Sequence, residues 1–403
     1  MTLIYRKPSA MEPLMPSAER ERLAELSARI YRKSGELRRA LPSLLVRDEL
    51  TRLTQKMNSY YSNLIEGHKT LPKDIEKALR QDYSPESEAK RNQLLSVAHI
   101  EAEIALRERL ATEPGLDVFD PLFIAWLHRA FYESLPQSEW STRSLSGKTY
   151  PLIPGVLRDY NVDVGQHTPP DHPTLPAFLD RFRSAYRDSS ILATDRLVAA
   201  AAAHHRLAWI HPFGDGNGRI ARLHTQAILI RCEVDCGGLW TLSRGLARNR
   251  KDYFQQLALA DSGRLSGLDG RGNLSDARLG VFCVFFLETA LDQIEFMLEL
   301  LAPEALADRI EQYTRFQLSD LSPQTRERIG RLLRALLHEG ELPRGAVQSV
   351  FGLKATASRE LIQIGLAKCL LKSPTPKGPL RLAFNAEVLE FYFPKLFADL
   401  PVP

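Results

Sequence analysis

Apolar residues recur at spacings of three and four through most of the chain, which predicts a mainly α-helical protein. In the first half this reading places helices over Ser17–Arg39, with Ser17 as N-cap, then Ser43–Glu66, Asp74–Gln81, Ser84–Arg107 and Leu122–Ser134. Gly67 follows the second of these as its left-handed stop. Further helices are expected over Leu175–Tyr186, Ile191–Ile210, Ile220–Arg231, Arg248–Ala260 and Leu279–Leu301. The last is rich in apolar residues, but Glu288, Asp292, Glu295 and Glu299 interrupt it at helical spacing, so it is amphipathic and not a membrane span. One place suggests paired strands: Leu157, Val162 and Val164 flank Asp159-Tyr160-Asn161 as in a short hairpin. Beyond a boundary at Pro303–Asp320 the grammar changes. Three short helices (Pro323–Glu339, Pro343–Phe351, Ala355–Leu366) precede strand, turn and strand at Leu370–Lys372 and Leu380–Leu382, a winged helix-turn-helix pattern.

Composition narrows the class without naming a partner. With 403 residues, 44% of them hydrophobic, the chain can support two or three domains with cores. Lys and Arg number 53 against 49 Asp and Glu, and the two signs are interspersed. Met1–Ala10 contains Arg6, Lys7 and Pro8 and no apolar run, so a secretory signal is not expected and the reading is an intracellular, cytoplasmic protein. Cys232, Cys236, Cys283 and Cys369 show no metal-ligand spacing and are expected to be buried free thiols. In the C-terminal region Lys354, Arg359, Lys368, Lys372, Lys377 and Arg381 lie on or near the expected recognition helix and wing, yet from residue 301 onward 14 basic residues face 11 acidic ones. Contact with DNA and docking to protein are therefore both left open.

The densest chemistry lies at residues 211–222, His-Pro-Phe-Gly-Asp-Gly-Asn-Gly-Arg-Ile-Ala-Arg, in the loop between two expected helices. Gly214, Gly216 and Gly218 let the backbone come close to a ligand just before a helix N-terminus, where unpaired amide N–H groups favour an anion. Arg219 and Arg222 fall in the first turn on one face, where the helix dipole opposes each cation by about 0.3–1 kcal/mol unless a negative group answers it. Asp215 is a hard oxygen ligand suited to Mg²⁺ held by one carboxylate and substrate phosphates. His211 is the nearby group whose ordinary pKa, about 6.5, suits a general base.

This run resembles, without a mismatch, the H-P-F-x-[D/E]-G-N-G-R-x-x-R motif of the Fic family, mostly helical proteins that typically transfer AMP from ATP to a protein hydroxyl. The resemblance covers roughly residues 45 to 290. It implies that His211 deprotonates the target hydroxyl for attack on the α-phosphorus, that Asp215 holds Mg²⁺, and that Asn217 with the amides around Gly216 and Gly218 cradles phosphate oxygens. Arg219 would meet the β-phosphate and Arg222 the γ-phosphate, with Phe213 anchoring the loop. Ser62-Asn-Leu-Ile-Glu66-Gly67 resembles the family's [S/T]-x-x-x-E-[G/N] inhibitory motif, implying that Glu66 pairs with Arg222. A carboxylate at a helix C-terminus is at the wrong end of the dipole, so an arginine partner makes physical sense as well. Leu157, Arg158, Val162 and Val164 look like the family's flap, a hairpin whose edge could hold an extended target segment. Tyr253, in Asn249-Arg-Lys-Asp-Tyr253-Phe254, is placed against the adenine.

The implied architecture is an N-terminal helical region with the inhibitory helix (1–90), a Fic catalytic core (91–302) and a winged helix-turn-helix domain (303–403). The expected activity is autoinhibited AMP transfer from ATP with Mg²⁺ to a Ser, Thr or Tyr hydroxyl of a protein, which could be the chain itself; a homo-oligomer is left open. Alternatives are transfer of another nucleotide or phosphate group, or a nucleotide-sensing DNA-binding regulator without turnover. A metal site built from His204, His205, His211 and Asp215 is disfavoured, since adjacent helical residues point about 100° apart.

Overall fold

The computed structural model describes residues 5–41, 43–143, 148–165, 167–187 and 191–397; Pro42, the outermost residues of the 1–90 and 303–403 regions, and three short internal stretches lie outside it. Helices α1 (Arg20–Arg39), α2 (Leu44–Ile65), α3 (Pro72–Ala78), α4 (Ser87–Thr112) and α5 (Pro121–Glu133) come first. The expected N-cap Ser17 has another task. Its N–H and hydroxyl both donate to the Asp276 carboxylate, at 2.9 and 2.8 Å, and the helix starts three residues later.

After α5 comes a strand pair, β1 (Ser141–Arg143) and β2 (Thr149–Pro151), antiparallel with Thr142 opposite Tyr150. The hairpin expected at 157–164 does not form. Arg158 there donates its backbone N–H to Pro212 carbonyl and spends its guanidinium on the carbonyls of His211, Tyr160 and Pro170, so the segment binds the neighbouring loop instead of itself. Among the described residues Val164 forms an isolated bridge with His167.

Helices α6 (Leu175–Tyr186), α7 (Arg196–Ile210), α8 (Asn217–Arg231), α9 (Leu242–Arg248), α10 (Arg250–Ala260) and α11 (Asp276–Leu300) complete the central bundle. α7 is its axis. Every residue from Leu197 to Leu207 is buried, and the run Ala199–Ala203 keeps the helix thin enough for α6, α8 and α11 to pack around it. α1 lies along α11, with Arg22 paired to Glu288 and Arg29 to Glu295; equal steps in the same sense make the two helices parallel. Among the described residues no helix is long and apolar enough to cross a membrane.

The segment read as a boundary at Pro303–Asp320 is mostly helix, α12 (Pro303–Gln317), because Leu306, Ala307, Ile310 and Tyr313 form an apolar stripe buried against the elements that follow. Those are α13 (Pro323–Glu339), β3 (Glu341–Leu342), α14 (Arg344–Val350), α15 (Ala355–Ala367), β4 (Leu371–Lys372), β5 (Leu380–Leu382) and α16 (Ala386–Tyr392), with the strands ordered β3-β5-β4 and antiparallel. This C-terminal part is seated on α2. The Tyr61 hydroxyl donates to the Leu396 carbonyl at 3.1 Å, the Tyr60 and Phe397 rings meet edge to face, and Lys372 forms an ion pair with Glu49. Arg244 of α9 reaches the Lys395 carbonyl at 2.8 Å. Cys232, Cys236 and Cys283 are buried and outside any disulfide, whereas Cys369, which follows α15 in the left-handed conformation, is exposed.

Gly245 allows α9 to meet α11: a Cβ there would lie 2.5 Å from Thr289 Cγ2 and 3.0 Å from Gln293 Cγ. Gly245→Ala is therefore expected to cost about 1–3 kcal/mol in urea unfolding, as overpacked cores do. A change below about 0.5 kcal/mol would show that the two helices separate freely.

Candidate functional site

The site is the turn from α7 into α8. α7 ends at His211, which takes the left-handed conformation (φ 51°) with its N–H on the Leu207 carbonyl. The imidazole Nδ1 faces the Ala208 carbonyl at 3.4 Å, so the proton belongs on Nδ1 and Nε2 is left as an acceptor. Burial, with the nearby charge of Arg158, pushes the His211 pKa down to about 4. The ring is neutral near pH 7, as a base requires.

The loop that follows is held from inside. Phe213 is fully buried and stacks on His128 at 4.0 Å, while His128 Nδ1 accepts the Gly155 N–H at 2.8 Å. Asn217 closes the loop: its Oδ1 accepts from the Phe213 N–H at 3.0 Å and its Nδ2 donates to the Phe213 carbonyl at 2.9 Å. Both ends of the amide are thereby used. Asn217 thus shapes the loop that precedes α8, with one Nδ2 proton beyond the bond to Phe213. Gly216 is the N-cap of α8 at φ 78°, and a Cβ there would lie 2.8 Å from the Tyr132 ring. A Cβ at Gly214 would lie closer still to a neighbour, 2.3 Å from the Tyr160 hydroxyl.

Asp215 lies at the mouth, its side chain 44% exposed. One oxygen accepts from the Tyr132 hydroxyl at 2.9 Å, and Arg219 is 3.6 Å away. Burial would raise its pKa, but the charge of Arg219, the Gly216 N–H and the Tyr132 phenol together hold it below the usual carboxylate value. Asp215 is thus an ionised hard oxygen donor open to solvent, which suits a Mg²⁺ ion completed by phosphate and water. Among the described residues no three His, Cys, Asp or Glu side chains gather as a metal cage. His204 and His205 belong to separate buried networks, with Thr225 and Tyr253 for the first and Leu257 and Asp261 for the second.

The two arginines differ. Arg219 lies over the Phe131 ring at 5.0 Å, and its buried Nε and Nη1 find no hydrogen-bond partner among the described residues. Arg222 is engaged through Nε and Nη2 by the end of α2. Its Nε donates to Ser62 Oγ and its Nη2 to the Ser62 carbonyl, both at 2.9 Å, and Nη2 also meets Glu66 Oε1 at 2.6 Å. Burial opposes ionisation of Glu66, but Arg222 and then Arg219 overcome it and keep the carboxylate charged. Glu66 caps α2, Gly67 follows at φ 90°, and Arg250 donates to the Ile65 carbonyl at 2.8 Å, so a cation also answers this helix end. The same carboxylate lies against Gly218, where a Cβ would be 2.3 Å from Glu66 Oε1.

The structure brings Ser62, Glu66, Gly67, His211, Gly214, Asp215, Gly216, Asn217, Gly218, Arg219 and Arg222 into one site. Of the residues assigned to a flap, Arg158 is a buried clamp on the His211 loop, and Leu157, Val162 and Val164 lie outside any strand, Val164 forming an isolated bridge with His167. Tyr253 offers little face to a base: it is 2% exposed, with its hydroxyl on His204 Nε2 at 2.8 Å. Sequence reading missed Tyr132, His128, Tyr160 and Arg250.

A model of the Fic/DOC family matches residues 118–229. The chain is 34% identical over 125 residues to a protein adenylyltransferase Fic of Nematostella vectensis, covering 30% of this chain and 27% of that protein. It is 36% identical over 89 residues to one of Aedes aegypti, covering 22% and 18%. It thus spans about a quarter or less of the curated relatives it matches. In fold it resembles a Fic family protein from Desulfovibrio desulfuricans (TM-score 0.52, 17% identity, 95% of this chain and 99% of the other). It also resembles Fic-1 of Caenorhabditis elegans (0.52, 19%, 70% and 73%).

Burial lowers His99 and His204 to about 3 and His128, His211 and His224 to about 4. Below the ordinary value of about 6.5 the unfolded chain binds protons that the fold excludes, so stability is lost as pH falls from about 6.5 toward 4. Denaturant unfolding at pH 7 and pH 5 should differ by more than about 2 kcal/mol. Equal stabilities would mean that these rings are solvated.

Proposed function

From the premise of a Fic/DOC domain at residues 118–229, we propose that the protein is an adenylyltransferase that moves AMP from ATP to a hydroxyl side chain of a protein and is restrained by its own Glu66. The observation that carries this reading is the Glu66–Arg222 pair: a buried cation of an anion cradle is answered by a carboxylate 156 residues away in sequence. In the reaction His211 Nε2 takes the target hydroxyl's proton as its oxygen bonds to the α-phosphorus. The bond to the bridging oxygen of the β-phosphate breaks, and pyrophosphate leaves with its charge met by Arg219 and Arg222. Asp215 is the residue to hold Mg²⁺, which when bound supplies neutralising charge to the phosphates. Glu66 blocks this in two ways, since it occupies Arg222 and stands over Gly218, where the γ-phosphate would pass.

The C-terminal part is proposed to serve protein docking more than duplex binding. Three of its six candidate cations are already paired, Lys368 with Asp320, Lys372 with Glu49 and Arg381 with Glu341. Lys354, Arg359 and Lys377 remain exposed. The Lys372 partner lies on α2, which ties this region to the restraining helix.

Incubation with α-labelled ATP should label protein at least about tenfold faster with Glu66→Gly than with the wild type, and not at all with Glu66→Gly/His211→Ala. Equal rates for wild type and Glu66→Gly would remove the restraint from this reading. Label from γ-labelled ATP alone would make the reaction phosphorylation.

A further inference from the structure

α7 ends at His211, and the last carbonyls of a helix have no donor within the helix. Three carbonyls at this end are met by one stretch of chain. His167 Nε2 is 2.8 Å from the Trp209 carbonyl, Arg158 Nε donates to that of His211 at 2.9 Å, and the Arg158 backbone N–H donates to that of Pro212 at 3.0 Å. A carbonyl only accepts, so His167 carries its proton on Nε2 and donates it to Trp209. The His167 and Trp209 rings also meet, centroids 5.2 Å apart. The helix that presents His211 is thus capped by a segment from outside itself.

That cap is held in turn from the N-terminal side. Tyr5 lies against Trp209 with ring centroids 5.0 Å apart, and its carbonyl accepts the Asp171 N–H at 2.9 Å. Asp171 follows Pro170, whose carbonyl accepts from Arg158 Nη2 at 2.6 Å, so Tyr5 and Arg158 grip the same stretch from opposite sides. Arg6 also pairs with Asp171 at 3.0 Å, but its side chain is 70% exposed and such a pair contributes little. Behind Tyr5 the strap is anchored to α7 itself: the fully buried Arg206 gives Nε and Nη2 to the Pro13 carbonyl at 3.1 and 2.8 Å. We infer that Tyr5 is a positioning residue for His211, clasping Trp209 and Asp171 so that the cap on the end of α7 holds the base in place for the transfer step. Phosphate affinity is separate from this clasp, because Arg219 and Arg222 lie on α8 and are held by Phe131 and Ser62.

This inference rests on the transfer reading above, and amide hydrogen exchange in the protein without nucleotide tests the clasp apart from it. In Tyr5→Ala the Asp171 and Arg158 N–H groups should exchange about tenfold faster, while the Ile220 N–H of α8, bonded to the Gly216 carbonyl, stays within about twofold. Tyr5→Phe keeps both the ring and the main-chain carbonyl and should match the unsubstituted protein; Tyr5→Leu serves the same comparison should Tyr5→Ala fail to fold. In the Glu66→Gly background, Tyr5→Ala should slow labelling of protein from α-labelled ATP by about fivefold to tenfold and leave the calorimetric affinity for ATP within about twofold. Unchanged exchange at Arg158 would overturn the inference, and so would a loss of ATP affinity as large as the loss of labelling. Absence of both ATP binding and label in Glu66→Gly itself would instead overturn the nucleotide reading, and the exchange rates would still decide the clasp.

Discussion

Two guanidinium groups stand in the first two turns of α8, where the helix dipole and burial both oppose positive charge, and much of the surrounding structure answers them. Arg219 is received by an aromatic face and by Asp215. Arg222 is received by a serine, a backbone carbonyl and a carboxylate contributed by another helix. Isolated, such charges would cost several kcal/mol each. The loop glycines, the end of α2 and the Asn217 bonds to Phe213 follow from the need to bring oxygen acceptors and backbone N–H groups close to this turn.

The same economy explains the histidines. Among the described residues burial lowers the pKa of seven of them, and three whose contacts bear on the site have distinct uses: His128 supports Phe213, His204 joins Thr225 and Tyr253, and His211 leaves Nε2 unprotonated. A neutral imidazole adds no further positive charge beside two arginines. It also offers direction, because one nitrogen donates and the other accepts. The site is therefore ordered by hydrogen-bond polarity as much as by charge.

Much of this was legible from sequence because it is local. α6 runs from Leu175 to Tyr186 as expected, and α2 agrees to within a residue at each end, since Ser43 caps one end and Gly67 stops the other. Residues 211–222 are contiguous, and their loop and helix follow from glycines and arginines at fixed spacing. What could not be read depends on distant partners. Tyr132 meets Asp215 from 83 residues away, and nothing in its neighbourhood marks it. The alternation at 157–164 suggested strands because pattern is blind to Arg158, whose bonds to three carbonyls draw that segment onto the His211 loop. Tyr253 is a related case: an aromatic on an amphipathic helix gives no sign that its hydroxyl meets His204, 49 residues away. Ser17 looked like a cap because its true acceptor, Asp276, begins a helix at the far side of the chain.

α2 holds Glu66 at one end, carries Glu49 and Tyr61 against the C-terminal part along its length, and packs on α4, α8 and α9 between. The carboxylate rides on the last turn of a helix that is also a shared wall between two parts of the chain. A change of side-chain rotamer at Glu66 is cheap and fast, but withdrawing the helix end disturbs contacts some 300 residues apart in sequence, such as Tyr61 with Leu396. On the proposed reading, control of the site then behaves as a latch more than as a dial: slow to open, open all at once, and responsive to forces applied far from the phosphate cradle.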